Sequence, residues 1–115
     1  RRLVQAEAVV LLDAAGARLE VPAKLRETET QIAQDLAIEA FVALDCSGMG
    51  RVDLFLDEKG TFFVNEINAI PGFTAISMYP QLLAASGIGA TELVTKLIEL
   101  AQARHQRRAA LKSRR

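Results

Sequence analysis

Four polar side chains on two neighbouring strand-like segments have the types and spacing needed to bind a cation. They are Arg51, Asp53, Glu66 and Asn68. Two carboxylates on one face of a β-hairpin repel each other unless a cation lies between them or one keeps its proton. Carboxylate and amide oxygens suit Mg²⁺ or Mn²⁺ better than zinc, and magnesium usually shares its shell with water and substrate phosphates. The set indicates a metal–nucleotide site, although the same spacing also occurs on a solvated hairpin face with scattered charges.

A predicted β-hairpin must bring these side chains together. Residues 52–56 and 61–67 are rich in Val, Leu, Ile and Phe, and residues 57–60 form a turn cluster. A turn that pivots on Lys59-Gly60 gives three facing pairs: Asp53 with Glu66, Arg51 with Asn68, and Phe55 with Val64. A four-residue turn keeps the same faces, whereas a three-residue loop without a bulge would break the pattern. The opposite face is expected to carry Leu54, Leu56, Phe63 and Ile67.

The rest of the chain predicts an α+β fold with an antiparallel sheet packed with helices. Residues 3–12 and 18–21 read as a strand and its return strand, so the chain is expected to be the back part of something larger. Thr28 is predicted to cap a helix, with Gln31 reaching back to form a capping box. The apolar stripe of this helix should pack on the hairpin. It consists of Ile32, Leu36, Ala40 and Leu44, with Phe41 beside them.

The segment after the hairpin contains a Pro-Gly loop and two further predicted helices. Pro71 fixes the backbone, and Gly72 lets the chain approach a ligand closely. Ser77 could cap a short helix that ends at Gly87, and the last helix should begin near Thr91. A helix start also offers free N–H groups to a carboxylate or phosphate, while capping alone remains the other interpretation of Ser77.

Composition indicates one folded unit. The chain has 115 residues, 50% of them hydrophobic, and a formal net charge of +0. No run approaches the roughly 20 apolar residues of a membrane span, and the single cysteine, Cys46, excludes an internal disulfide and fits a reducing compartment. Residues 1–102 are predicted to form the folded portion and residues 103–115 a basic tail. The tail has no aromatic side chains to stack on bases, so we expect a frayed, solvated end and neither a nucleic-acid nor a membrane partner.

Several distinctive motifs cover most of residues 21–101: GRVDLFL, VNEINAIPGFT and ISMYP, with VPAKL and ALDCSGMGRVD upstream. They closely resemble the C-terminal segment of the D-alanine–D-alanine ligases, members of the ATP-grasp superfamily. The resemblance implies the C-terminal part of an ATP-grasp domain. It also implies an enzyme of the bacterial cytoplasm that joins two D-alanine molecules through a D-alanyl phosphate, at the expense of ATP, for peptidoglycan synthesis.

The resemblance assigns metal and nucleotide roles to the hairpin. Asp53, Glu66 and Asn68 match residues that hold two Mg²⁺ or Mn²⁺ ions against the ATP phosphates, with Glu66 bridging. Phe55 matches an apolar residue that packs under the adenine.

The resemblance also assigns roles in catalysis and in substrate binding. Arg51 and the backbone N–H of Gly72 match groups that stabilise charge on the reacting acyl phosphate. Ser77 matches the serine that binds the carboxylate of the second D-alanine, and Met78 lines that pocket.

The sequence departs from the family near its start. Glu7-Ala8-Val9-Val10 stands where the family has a lysine-containing stretch, and no lysine precedes Lys24. The N-terminal half of such a ligase is a missing partner, so we expect no turnover from these residues alone, and the orphaned sheet edge could form a homodimer. Two alternatives are a repurposed module that binds Mg-nucleotide without catalysis, and another ATP-grasp carboxylate–amine ligase, including one that accepts D-lactate.

Overall fold

The computed structural model describes residues 22–74 and 77–113 and confirms the α+β class. The element order is α1 (Glu27–Ala43), β1 (Arg51–Leu56), β2 (Phe62–Asn68), α2 (Met78–Ala85) and α3 (Ala90–Lys112). In the described ranges β1 and β2 form a two-stranded antiparallel sheet. The strands predicted at 3–12 and 18–21 lie outside the described residues.

Helix α1 begins two residues earlier than the sequence predicted. Its N-cap is Arg26, not Thr28. The Glu29 carboxylate accepts hydrogen bonds from the Arg26 backbone N–H at 3.0 Å and from its guanidinium at 2.7 Å. Gln31 instead donates to Asp35 at 2.9 Å. The correction has a physical cause, because a charged carboxylate is a stronger acceptor for these donors than a glutamine amide.

The packing face of α1 differs in part from the predicted stripe. The helix packs on the hairpin as expected, but its buried residues are Ala33 and Phe41. Ile32 and Leu44, the two ends of the predicted stripe, are 52% and 66% exposed. Steps of four residues rotate about 40° around a helix with 3.6 residues per turn. A strict four-residue row therefore turns away from the hairpin at both ends.

The connection from α1 to β1 depends on a close approach at Gly50. A Cβ built on Gly50 would lie 2.8 Å from Cε2 of Phe41 and 3.7 Å from the backbone oxygen of Asn68. Phe41 is only 6% exposed, and its carbonyl oxygen accepts a hydrogen bond from the N–H of Cys46 at 3.1 Å. The ring thus fills the place of a side chain at Gly50.

The hairpin has the predicted pairs at its charged end, but its loop length and the pairing of β2 differ from the prediction. Arg51 pairs with Asn68 and Asp53 with Glu66, but Leu54 pairs with Val64, so Asn65 is an extra residue in β2. The loop at residues 58–60 is closed by a hydrogen bond from the N–H of Asp57 to the oxygen of Thr61 at 3.0 Å. An odd loop and a one-residue bulge cancel each other, because each alone would reverse the faces.

The bulge corrects two predictions about the aromatic residues. Phe55 faces Phe63 rather than Val64. Opposite residues share a face, so Phe63 lies beside Phe55 and not with the apolar residues that cover α1. Phe63 is 52% exposed, whereas Phe62 is half-buried on the face where Phe63 was predicted.

A second cluster joins α2 and α3. Tyr79, Leu83 and Leu93 are buried together, and Met49, Ile88 and Leu97 pack against them. Ser77 is the N-cap of α2 and Gly87, with a φ of 83°, follows its end, as predicted. Helix α3 continues through Lys112, so the described part of the basic segment is helical and not frayed. None of the described helices is long and apolar enough to span a bilayer.

Replacing Gly50 with Ala should destabilise the fold by about 1–3 kcal/mol, because the new methyl group would overpack against the Phe41 ring. Urea denaturation followed by circular dichroism measures this change. The control is the same substitution in a Phe41→Leu background, where the clash is smaller and the cost of Gly50→Ala should fall. An equal cost in both backgrounds would contradict the packing argument.

Candidate active site

One face of the hairpin brings the four predicted polar residues together. Arg51 lies directly opposite Asn68, and Asp53 lies directly opposite Glu66. Residues paired in this way project from the same face of a sheet. Phe55 and Phe63 continue the face toward the turn. The face therefore has a charged end next to the Pro-Gly loop and an aromatic end next to the hairpin turn.

A guanidinium group partly neutralises the two carboxylates. Arg51 binds Asp53 through two hydrogen bonds, Nε to Oδ1 at 2.8 Å and Nη2 to Oδ2 at 2.9 Å. The pair is part-buried, with side-chain exposures of 25% and 34%. The hydrogen bonds to Asp53 raise the pKa of Arg51, and the charges of Asp53 and Glu66 act in the same direction. Arg51 is therefore a fixed positive charge beside both carboxylates.

Asn68 connects the charged end of the face to the loop that follows it. Its Oδ1 atom accepts a hydrogen bond from the backbone N–H of Ile70 at 3.1 Å. An Asn side chain that bonds two residues ahead forms a local turn of its own. The bond leaves one lone pair on Oδ1 available. Asn68 can thus accept the hydrogen bond from the loop and still offer a lone pair of Oδ1 to a metal ion.

Gly72 and Ser77 contact each other where that loop leads into α2. A Cβ on Gly72 would lie 2.8 Å from Oγ of Ser77 and 3.4 Å from its Cβ. The contact brings together two of the predicted site residues, Gly72 and Ser77. Met78 is the first residue of α2 and is half-buried.

Thr74 holds the Ser77 hydroxyl, and sequence reasoning missed it. The N–H of Thr74 donates to Oγ of Ser77 at 3.0 Å, and the two hydroxyl oxygens lie 2.7 Å apart. Ser77 makes no side-chain cap bond to α2, although it occupies the N-cap position. The signal available in the sequence was a threonine three residues before a serine within a loop, a spacing at which these side chains bond locally.

The oxygen donors of the hairpin face fit a hard divalent cation. Two carboxylates and one amide oxygen come from Asp53, Glu66 and Asn68, and magnesium takes oxygen ligands of this kind. Glu66 is exposed, and its carboxylate accepts no hydrogen bond from any other described residue. Within residues 22–74 and 77–113 no group of three His, Cys, Asp or Glu side chains is placed to hold a metal ion. Water and substrate oxygens would therefore have to supply part of the shell.

The sequence has extensive similarity to known proteins. A family model described as "D-ala D-ala ligase C-terminus" matches residues 7–99. The D-alanine–D-alanine ligase of Shouchella clausii is 51% identical over 102 residues, which is 89% of this chain and 28% of that protein. D-alanine–D-alanine ligase A of Escherichia coli K12 is 47% identical over 102 residues, again 28% of its length.

Solved structures show the same relationship. The D-alanine–D-alanine ligase from Coxiella burnetii superposes with a TM-score of 0.81 at 46% identity, covering 84% of this chain and 28% of that one. The VanG D-Ala:D-Ser ligase from Enterococcus faecalis gives a TM-score of 0.67 at 35% identity, covering 72% of this chain and 25% of that one. The chain thus spans between 25% and 28% of the length of these relatives, and it belongs to the D-Ala–D-Ala ligase C-terminal family.

Proposed function

We propose that this chain supplies the metal- and phosphate-binding side of an ATP-dependent D-alanine–D-alanine ligase. The observation that carries the proposal is the pairing of Arg51 with Asn68 and Asp53 with Glu66, on a face that leads directly into the Gly72–Ser77 contact. Family membership over residues 7–99 supports the same assignment. The product would be the dipeptide precursor of peptidoglycan, made in the bacterial cytoplasm.

The hairpin would hold the nucleotide and its ions. Asp53, Glu66 and Asn68 would bind two Mg²⁺ or Mn²⁺ ions, with Glu66 bridging, and Phe55 would pack under the adenine. Phe55 is 61% exposed and has Phe63 beside it, so an apolar surface is available for a base. The ions, when bound, neutralise phosphate charge during phosphoryl transfer.

Arg51 and Gly72 would stabilise charge during the two chemical steps. In the first step a carboxylate oxygen of one D-alanine bonds to the γ-phosphorus and ADP leaves. In the second the amine of the other D-alanine bonds to the acyl carbon, loses a proton, and inorganic phosphate leaves. Negative charge develops on the acyl oxygen, and preorganised donors are most effective there. The two bonds to Asp53 hold the guanidinium of Arg51 in a fixed orientation.

The Ser77 hydroxyl would bind the carboxylate of the second D-alanine. Its oxygen already accepts from the Thr74 N–H. If the Thr74 hydroxyl also donates to it, the proton of Ser77 is left free to donate to a carboxylate, as this role requires. Met78, the next residue, would line the pocket.

The identity of the second substrate rests on the comparisons. The relatives at 51% and 47% identity are D-alanine–D-alanine ligases, whereas the solved D-Ala:D-Ser ligase is 35% identical. We therefore favour D-alanine as the second substrate. A nucleotide-binding module without catalysis is the second candidate, because the chain spans only 28% of the relatives' length and their active sites would need the remainder.

The chain should bind ATP weakly and only with a divalent ion, which isothermal titration calorimetry can measure with and without EDTA. Asp53→Asn with Glu66→Gln should abolish the metal-dependent part, because the oxygen ligands lose their charge. Glu58→Gln, an exposed carboxylate in the hairpin loop, is the matched control and should bind like the parent. Metal-dependent binding that survives the double substitution would argue against the hairpin site.

The 115 residues alone should release no phosphate from MgATP with D-alanine, whereas a chimera should. In the chimera, residues 7–99 replace the matching segment of the E. coli ligase A. Arg51→Gln in the chimera should lower kcat by about 10²- to 10³-fold, the usual effect of losing one charge-stabilising donor. Ser77→Ala should mainly raise KM for the second D-alanine, and Glu58→Gln should change neither constant. An inactive but folded chimera that still binds MgATP would favour the binding-module alternative.

We also propose that the chain self-associates through its sheet. Within the described residues β1 and β2 have only each other as partners, and a sheet edge without a further strand is a template for pairing with a second copy. Size-exclusion chromatography with light scattering should then give a mass that rises toward twice the monomer mass with concentration. A constant monomer mass would refute this proposal.

A further inference from the structure

The basic half of α3 forms one wall of a cleft that the ligase proposal does not use. The cleft has a volume of about 300 Å³ and lies between α3 and the turn that precedes β1. It is lined by Ser47, Gly48, Leu97, Ala101, Arg104, His105 and Arg108. None of these residues belongs to the candidate active site. The cleft follows directly from α3 remaining helical beyond residue 102, so the sequence alone did not reveal it.

The charges that line the cleft have one sign. Arg104 and Arg108 are four residues apart on α3, so their side chains are neighbours on one face of the helix and repel each other. Neither makes an ion pair or hydrogen bond with any residue in the described ranges. His105 also lines the cleft, and no carboxylate does. An anion placed between the two guanidinium groups would relieve their repulsion.

The opposite wall offers neutral hydrogen-bond donors. The backbone N–H groups of Ser47 and Gly48 donate to no other group in the part of the chain that the structure describes. Gly48 has a φ of 82°, a conformation that produces a turn at this point. Successive free N–H groups in such turns make concave sites for anions. The Ser47 hydroxyl adds a further donor.

We propose that this cleft binds a small phosphate-bearing anion between Arg104 and Arg108 on one side and the Ser47-Gly48 turn on the other. Two guanidinium groups and backbone amides are the donors that phosphate oxygens accept best. The volume is at the lower end of ligand sites, which measure roughly 300–1,000 Å³, so the anion is small. The cleft and the hairpin share no residue, so this proposal does not depend on the ligase proposal.

The test is a calorimetric titration of the 115-residue chain with inorganic pyrophosphate and, separately, with ADP, at constant ionic strength. Arg104→Gln and Arg108→Gln should each weaken pyrophosphate binding by about tenfold, the effect of losing one charge-assisted hydrogen bond. Arg107→Gln is the matched control, because this arginine lies on the same helical turn but does not line the cleft. It should change the affinity by less than about twofold. Circular dichroism checks that each variant keeps its helices.

The outcomes distinguish a specific anion-binding site from non-specific electrostatic attraction to α3. Equal weakening by all three substitutions would overturn the proposal, because it would show that only the positive charge of α3 attracts the anion. Absence of saturable pyrophosphate binding would also overturn it. ADP binding that Arg104→Gln weakens identifies a nucleotide as a second source of the phosphate group, and ADP binding that only Glu66→Gln weakens belongs to the hairpin face.

Discussion

The bulge at Asn65 is the constraint on which both faces of the hairpin depend. Side chains alternate along a strand, so one extra residue reverses every position that follows it. The odd loop at residues 58–60 has already reversed the faces once, and Asn65 restores them. Without the bulge, Glu66 and Asn68 would turn toward α1. A carboxylate placed against Phe41 and the apolar strand face would lose its hydration without gaining a partner, at a cost of several kcal/mol.

The second constraint is electrostatic. Asp53 and Glu66 face each other across the strands, an arrangement that destabilises a sheet when nothing compensates it. Arg51 compensates it from within the chain by binding both oxygens of Asp53. Glu66 is left exposed with free lone pairs. The face can therefore exist without a bound ion, and the exposed Glu66 carboxylate is compatible with the proposed metal site.

Residue pattern predicted the site better than it predicted the elements around it. The predicted even turn placed Arg51, Asp53, Glu66 and Asn68 on one face, and the structure keeps them there because the odd loop and the bulge at Asn65 offset each other. The bulge could not be predicted, because an odd loop with a bulge and an even loop without one give the same pairs at the charged end. The start of α1 was missed because Thr28 and Arg26 compete as caps, and the charged Glu29 decides between them. The bond between Thr74 and Ser77 depends on how the loop folds, which local propensity does not specify.

The loop between Asn68 and Ser77 is held in place by contacts at both of its ends. At the first end the Asn68 side chain binds the N–H of Ile70. At the second, Thr74 binds Ser77, and the ring of Phe73 contacts buried Tyr79 at a centroid distance of 6.1 Å. Gly72 lies between these anchors and is pressed against Ser77. The α2–α3 core therefore acts on the site through Tyr79. Through this contact the core helps to hold Gly72 and Ser77 near the charged hairpin face, and the roles proposed for them need donors that are in place before a substrate binds.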